Sequence, residues 1–379
     1  MRVMHVITGL ESHGAERMMA RLIGSLDERE VQSVVVSLTT DGPVGRDLRS
    51  SGVEVLALEI KKTSGMITGP RRLAAAIRDQ QPDVVQTWLY DSDLIGAIAA
   101  RRAGRIPVVW NLRQTVPDLR ASKPRTRWII RTCARLSSRA PARIVCCAPE
   151  VLQSHVDVGY DASRAVVIPN GTDMEIFRPD DLARCEVRAE LGFDAATPLV
   201  GLVARVAPQK DHETFASAAA AVLAKDPRAR FILCGEGATA SNGTLTNVLG
   251  RAGVAAATRL LGPRPDVERI TAALDVAVSS SAFGEGYPNT VAEALACGVP
   301  CVVTDVGHSA ALVGDAGVVV PPRDPSRLAE GVSRLLALSP IERRALGAKG
   351  RQGIEAEASL AVVARTYAEV WRGVAQCVV

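Results

Sequence analysis

Short runs of apolar, β-branched residues recur along this chain from end to end, with helical segments between them. In the first half strands are expected over residues 3–8, 33–38, 53–58, 84–89, 108–110, 144–147 and 166–168. In the second half they are expected over residues 199–203, 231–234, 259–261, 276–279, 301–304 and 317–320. Several runs are apolar at successive positions, as strands covered on both faces must be. Helices over residues 16–26, 73–78 and 212–225 fall between them, so the pattern predicts parallel α/β sheets, twice. No sequence repeat links the halves. The Pro-containing stretch Arg178-Pro179-Asp180-Asp181-Leu182-Ala183-Arg184 is the expected linker, which sets domains of 1–178 and 179–360. Open α/β sheets bind ligands at the C-terminal ends of their strands, and two such domains would place those ends across one cleft.

A length of 379 residues exceeds what one core comfortably supports, and 47% hydrophobic with 23% charged residues is an ordinary globular composition. No apolar run reaches the ~18 residues of a membrane span. Met1-Arg2-Val3-Met4-His5-Val6 reads as a first strand, not a secretory leader, so a cytoplasmic protein is expected. The eight cysteines, at 133, 146, 147, 185, 234, 297, 301 and 377, form no C-x-x-C pair, and the five histidines are scattered. Reduced thiols and no bound metal are therefore expected.

The net charge of +4 is uneven: residues 1–178 carry 25 Lys/Arg against 19 Asp/Glu, and residues 179–379 carry 20 against 22. Nine basic residues and one acid, Asp118, fall between Arg113 and Arg143. There Arg127, Arg131 and Arg135 recur at helical spacing beside Trp128, Ile129 and Ile130. Such a helix suits an anionic membrane surface or is simply a solvated face. Nucleic acid is excluded as a partner, because aromatic residues make up only 3% and no stacking platform is visible.

The stretch from Glu285 to Glu293 (Glu285-Gly286-Tyr287-Pro288-Asn289-Thr290-Val291-Ala292-Glu293) sets two carboxylates eight positions apart around a helix start. Pro288 and Asn289 suit a first turn, Val291, Ala294 and Leu295 give a buried face, and Gly298 ends the helix. The N–H groups of Asn289, Thr290 and Val291 would favour an anion, and the carboxylates are acceptors suited to sugar hydroxyls. This stretch resembles the E-x7-E signature of retaining glycosyltransferases of the GT-B fold, in particular family 4.

Other segments extend the resemblance. Thr8-Gly9-Leu10-Glu11-Ser12-His13-Gly14-Ala15-Glu16-Arg17 has two glycines at P-loop spacing, but Ala15-Glu16 stands where Lys-Ser/Thr belongs, which argues against a P-loop NTPase. It resembles the family's G-G-A-E-R loop, with His13 for the first glycine. Arg205 and Lys210 match its R-x4-K after a strand, two cations placed to neutralise a diphosphate. Pro169-Asn170-Gly171-Thr172-Asp173 with Phe177 resembles its P-N-G-x-D…F element. The loop Leu261-Gly262-Pro263-Arg264-Pro265-Asp266 looks like the one that meets the nucleobase. The turn Gly307-His308-Ser309-Ala310-Ala311 departs from the family's usual Gly-Gly. On the other side, Trp88-Leu89-Tyr90-Asp91-Ser92-Asp93 resembles W-x-Y-H-x-D with Asp91 for His, and Trp110-Asn111-Leu112-Arg113 resembles W-x-I-R, both from relatives that build bacterial surface polysaccharides.

The resemblance implies a GT-B fold, α/β throughout, of two Rossmann-like doubly wound domains, with a C-terminal helix of about 360–379 packed back on the first. It implies a retaining glycosyltransferase that moves a sugar from a nucleoside-diphosphate sugar, UDP- or GDP-linked, to a hydroxyl of a glycan or lipid-linked glycan. No cofactor is implied, and the location would be the cytoplasm or the inner face of the plasma membrane. Glu285, Arg205 and Lys210 would be catalytic. Gly14, Glu293, Arg264, Tyr287, Asn289 and Thr290 would bind the donor, and Asp91 and Arg113 would face the acceptor. The alternatives are an epimerase of the same fold and a non-catalytic nucleotide-binding subunit of a polysaccharide assembly.

Overall fold

A computed structural model describes residues 1–11, 14–60 and 65–376, with backbone alone for 65–67. His13 and Cys377 thus lie outside the described residues. The chain forms two compact units, Met1–Gly171 with Leu360–Val379, and Thr172–Ser359.

The first unit is built on a sheet of β1 (Arg2–Ile7), β2 (Gln32–Ser37), β3 (Glu54–Ala57), β4 (Val84–Trp88), β5 (Val108–Leu112), β6 (Arg143–Cys146) and β7 (Ala165–Val167). Its order is β3-β2-β1-β4-β5-β6-β7, and every pairing is parallel. The strand order reverses between β1 and β4, where Val3 pairs with Val84 and Ile7 with Trp88. The core gathers Val3, Ile7, Met19, Leu22, Val35 and Trp88 together with Val363, Tyr367, Trp371 and Val374 of the helix Leu360–Gln376. That helix is tied in by polar bonds as well: Trp371 Nε1 donates to Gln86 Oε1 at 2.8 Å and Asn111 Nδ2 donates to Tyr367 Oη at 2.9 Å. Burying such side chains contributes roughly 1.5–3 kcal/mol each.

The second unit carries β8 (Leu199–Val203), β9 (Arg230–Cys234), β10 (Thr258–Gly262), β11 (Val276–Ser279), β12 (Cys301–Thr304) and β13 (Gly317–Val320). They form an all-parallel sheet of order β10-β9-β8-β11-β12-β13, reversing between β8 and β11. Leu202, Phe215, Phe231, Val278, Val302 and Leu328 fill its core. At the strand N-termini, Asp275 accepts from Arg184 and Arg188, both at 2.7 Å, and from Leu199 N at 2.9 Å. Burial alone would raise the Asp275 pKa, but the two guanidinium groups prevail and hold it below the usual carboxylate range.

Every expected run carries a strand, with ends moved by at most two residues. The helix expected over 73–78 runs instead from Gly65 to Gln80, straight through Pro70. Gly69 and Pro70 are buried there, and packing of this face overrides the local penalty of proline. The expected linker is also partly helical. Asp180 caps the helix Asp181–Glu190 by accepting from Ala183 N at 2.8 Å, so Asp181 to Arg184 form its first turn. Among the described residues no helix is long and apolar enough to cross a membrane.

Candidate functional site

The point where the second sheet reverses its order is where two candidate residues meet. The chain leaves β8 through Ala204 and Arg205, makes a short 3-10 turn Pro208–Lys210, and turns at Asp211, whose φ is +46°. Asp211 caps the helix His212–Lys225 through Thr214 N at 3.1 Å and Thr214 Oγ1 at 2.7 Å, which fixes the turn. The loop after β11 lies against it: Ala282 N donates to Gln209 O at 2.8 Å, Gln209 Nε2 to Gly284 O at 2.9 Å, and Ser280 Oγ to Lys210 O at 2.8 Å. Within this frame Lys210 Nζ donates to Glu285 Oε1 at 2.5 Å and Ser281 Oγ donates to the same oxygen at 2.6 Å. Glu285 is 6% exposed, a buried carboxylate held by a cation and a hydroxyl.

The helix Asn289–Ala296 begins just beyond. Pro288 is its N-cap, and Gly298 at φ +70° terminates it. Val291 N donates to Pro288 O at 3.0 Å, so of the three N–H groups expected to meet an anion this one is already engaged within the first turn. Glu293 is buried on this helix and Tyr287 is buried just before it, while Asn289 and Thr290 are half-buried. Tyr287 stacks on His308 with ring centroids 5.8 Å apart, and His308 N donates to Gly286 O at 3.1 Å. The turn that brings His308 there needs Gly307: its φ is +57°, and a Cβ would stand 2.2 Å from Glu285 O.

Arg205 is exposed in the β8 loop, and its backbone rests on Gly235, where a Cβ would meet Ala204 O at 2.4 Å and Arg205 N at 3.0 Å. Arg264 follows β10, but its guanidinium is held by Asp266 Oδ1 at 2.8 Å and Glu190 Oε1 at 2.7 Å. These acceptors keep its pKa above the ordinary arginine value and tie the loop to the end of the helix Asp181–Glu190. Sequence reasoning missed Ser281, Gln209 and Gly235, and named Gly307 only as part of a turn. Gln209 directly precedes Lys210, Ser281 stands four positions before Glu285, and the strand–glycine junction at Cys234-Gly235 was the available signal for the third.

In the first unit Gly14 opens the helix Gly14–Gly24 after β1. Asp91 lies in the first turn of the helix Tyr90–Ala103, past Leu89 at φ +71°, and pairs with Arg125. Arg113, after β5, donates to Asn111 Oδ1 and Tyr367 Oη, both at 3.1 Å, and lies 5.8 Å from the Trp88 ring centroid. Asn111 and Tyr367 therefore share the strand end that Arg113 alone was expected to mark. Asp173 makes a turn at the end of the P-N-G-x-D element, accepting from Glu175 N at 3.0 Å and Ile176 N at 3.1 Å. Trp128 is 53% exposed on the helix Pro124–Leu136, whose Ile129, Ile130, Cys133 and Ala134 are buried.

Comparison with known proteins matches each unit separately. The Glycosyltransferase Family 4 model covers residues 12–176, and the model for Glycosyl transferases group 1 covers residues 197–338. The putative glycosyltransferase EpsF of Bacillus subtilis is 27% identical over 80% of this chain and 79% of its own length. A D-inositol 3-phosphate glycosyltransferase of Frankia alni is 34% identical over 55% of this chain, which spans about half, 54%, of that relative. Among solved structures, Anabaena HepE crystallised with UDP superposes with a TM-score of 0.86 at 21% identity, over 98% of this chain and 100% of that one. The sheet orders, the matches to both units and the whole-length fold likeness converge: the chain is a glycosyltransferase of the GT-B fold, related to the group 1 and family 4 glycosyltransferases.

Proposed function

We propose that this protein is a retaining transferase that moves a hexose from a UDP-sugar to a hydroxyl of a glycan or lipid-linked glycan in bacterial surface-polysaccharide synthesis. The observation that carries the proposal is the Lys210–Glu285 pair at the β8/β11 reversal, where an open α/β sheet binds its ligand. Lys210 and Arg205 neutralise the diphosphate, Glu285 holds the hydroxyls of the donor sugar, and Glu293 holds the ribose. As the bond from the sugar anomeric carbon to the phosphate oxygen breaks, a bond to the acceptor oxygen forms on the same face, and the departing oxygen takes the acceptor's proton. The two cations stabilise the charge that grows on the diphosphate. The choice of UDP is supported by the HepE complex with UDP, the fold neighbour described above.

Peripheral contact with anionic lipid accompanies this reading. Trp128 stands exposed beside the exposed Arg131 and Arg135, a combination that suits a membrane surface where a lipid-linked acceptor would reside.

The test of the donor assignment is a thermal-shift panel of UDP-, GDP-, ADP- and dTDP-sugars. A true donor at a hundred times its dissociation constant adds ~2.7 kcal/mol to stability. Stabilisation by UDP-sugars is expected, and a panel without any shift contradicts the reading.

A further inference from the structure

Phe283 departs from the other phenylalanines of this chain. Phe177, Phe193, Phe215 and Phe231 are exposed by 9% or less, whereas Phe283 is exposed by 51%. Nor does it hang from a loose segment. The residues on both sides of it are bonded to one partner, Ala282 N to Gln209 O at 2.8 Å and Gly284 O to Gln209 Nε2 at 2.9 Å. Two positions on, Glu285 is fixed by Lys210 and Ser281. The loop thus holds a large apolar ring out in water beside its most polar cluster, instead of folding it into the core, and the backbone is set before any ligand arrives.

A pyranose fits this pairing of surfaces. Its hydroxyls point to the rim and suit carboxylates and hydroxyls, while one face presents several C–H groups. Those C–H groups are attracted to the electron-rich face of an aromatic ring and lose water on contact with it. We propose that Phe283 is a stacking platform for a pyranose ring bound at this loop, and so a specificity-determining residue for the transfer. The inference rests on the assignment of the Lys210–Glu285 loops to the nucleotide sugar. The stacked ring comes from the donor hexose or from the terminal hexose of the acceptor, and the two sources are separable.

The experiment compares wild type with Phe283→Ala and Phe283→Tyr. Calorimetry measures UDP and UDP-glucose. Saturation-transfer NMR on UDP-saturated protein measures methyl α-D-glucopyranoside and methyl N-acetyl-α-D-glucosaminide. Because the side chain is half in solvent, both variants should melt with the wild type. UDP affinity should not change. Either UDP-glucose affinity falls about three- to tenfold in Phe283→Ala, which identifies the donor sugar, or saturation transfer to the glycoside C–H protons is lost, which identifies the acceptor. Phe283→Tyr should restore the wild-type result in either arm. Unchanged binding of UDP-glucose and both glycosides to Phe283→Ala overturns the inference, as does an equal loss for UDP itself, which would mark a nucleobase contact. Failure of wild type to bind UDP or UDP-glucose would remove the donor assignment and this inference with it.

Discussion

Lys210 Nζ lies 2.5 Å from Glu285 Oε1 although 75 positions separate the two residues. With 18% and 7% of their side chains exposed, each neutralises the other before any ligand is present. A diphosphate must therefore compete with Glu285 for Lys210. Glu285→Gln should leave affinity for bare UDP equal or higher, since Lys210 is released, and should weaken the use of UDP-glucose by about tenfold or more. Calorimetry of both ligands checks this, and a lost UDP site in Glu285→Gln would contradict it.

Gly307 couples the turn after β12 to the Glu285 backbone. A methyl group there meets Glu285 O at 2.2 Å in a backbone conformation disfavoured for alanine. Gly307→Ala should cost about 1–3 kcal/mol of stability and displace Glu285, lowering turnover more than it lowers affinity for UDP. Denaturant titration together with initial rates decides the point, and a variant with wild-type stability and turnover would show that the turn tolerates a side chain.

Three buried histidines make stability depend on pH. Burial lowers the pKa of His5 to about 3 and those of His155 and His212 to about 4, from 6.5. The unfolded chain then binds more protons than the folded one between those values. Their neutral forms are fully compatible with the fold above pH 6.5, and stability is lost as pH falls below it. The loss at pH 5 should be on the order of 2 kcal/mol per histidine. Denaturant midpoints at pH 7.5 and pH 5 test this, and equal midpoints would be inconsistent with three neutral, buried imidazoles.

The exposed face of the helix Pro124–Leu136 should bind vesicles containing anionic lipid at low salt and release them as salt rises, since screening shortens the reach of its arginines. Trp128→Ala should weaken binding further. Equally weak co-sedimentation with neutral and anionic vesicles would make the face merely solvated.

The sheets were legible because strands covered on both faces must be apolar at successive positions, as in Val34–Val36 and Val200–Val203. The helix through Pro70 was not, because packing of Gly69 and Pro70 decided it and local propensity spoke against it. At the candidate site, residue types and short spacings pointed to Arg205, Lys210, Glu285 and Glu293. Contacts between distant chain positions were hidden, since spacing cannot reveal them. Gln209 grips the Glu285 loop, Glu190 holds Arg264 from 74 positions away, and Tyr367 reaches Arg113 from the C-terminal helix.

The most direct test of the nucleotide-sugar site is the rate of UDP release from UDP-glucose in Arg205→Ala and Lys210→Ala, measured beside wild type with melting temperatures as the control for folding. Charge grows on the diphosphate as its bond to the sugar breaks, so each variant, at temperatures where it stays folded, should turn over ~10²–10³-fold more slowly. Near-wild-type turnover in both folded variants would contradict the site.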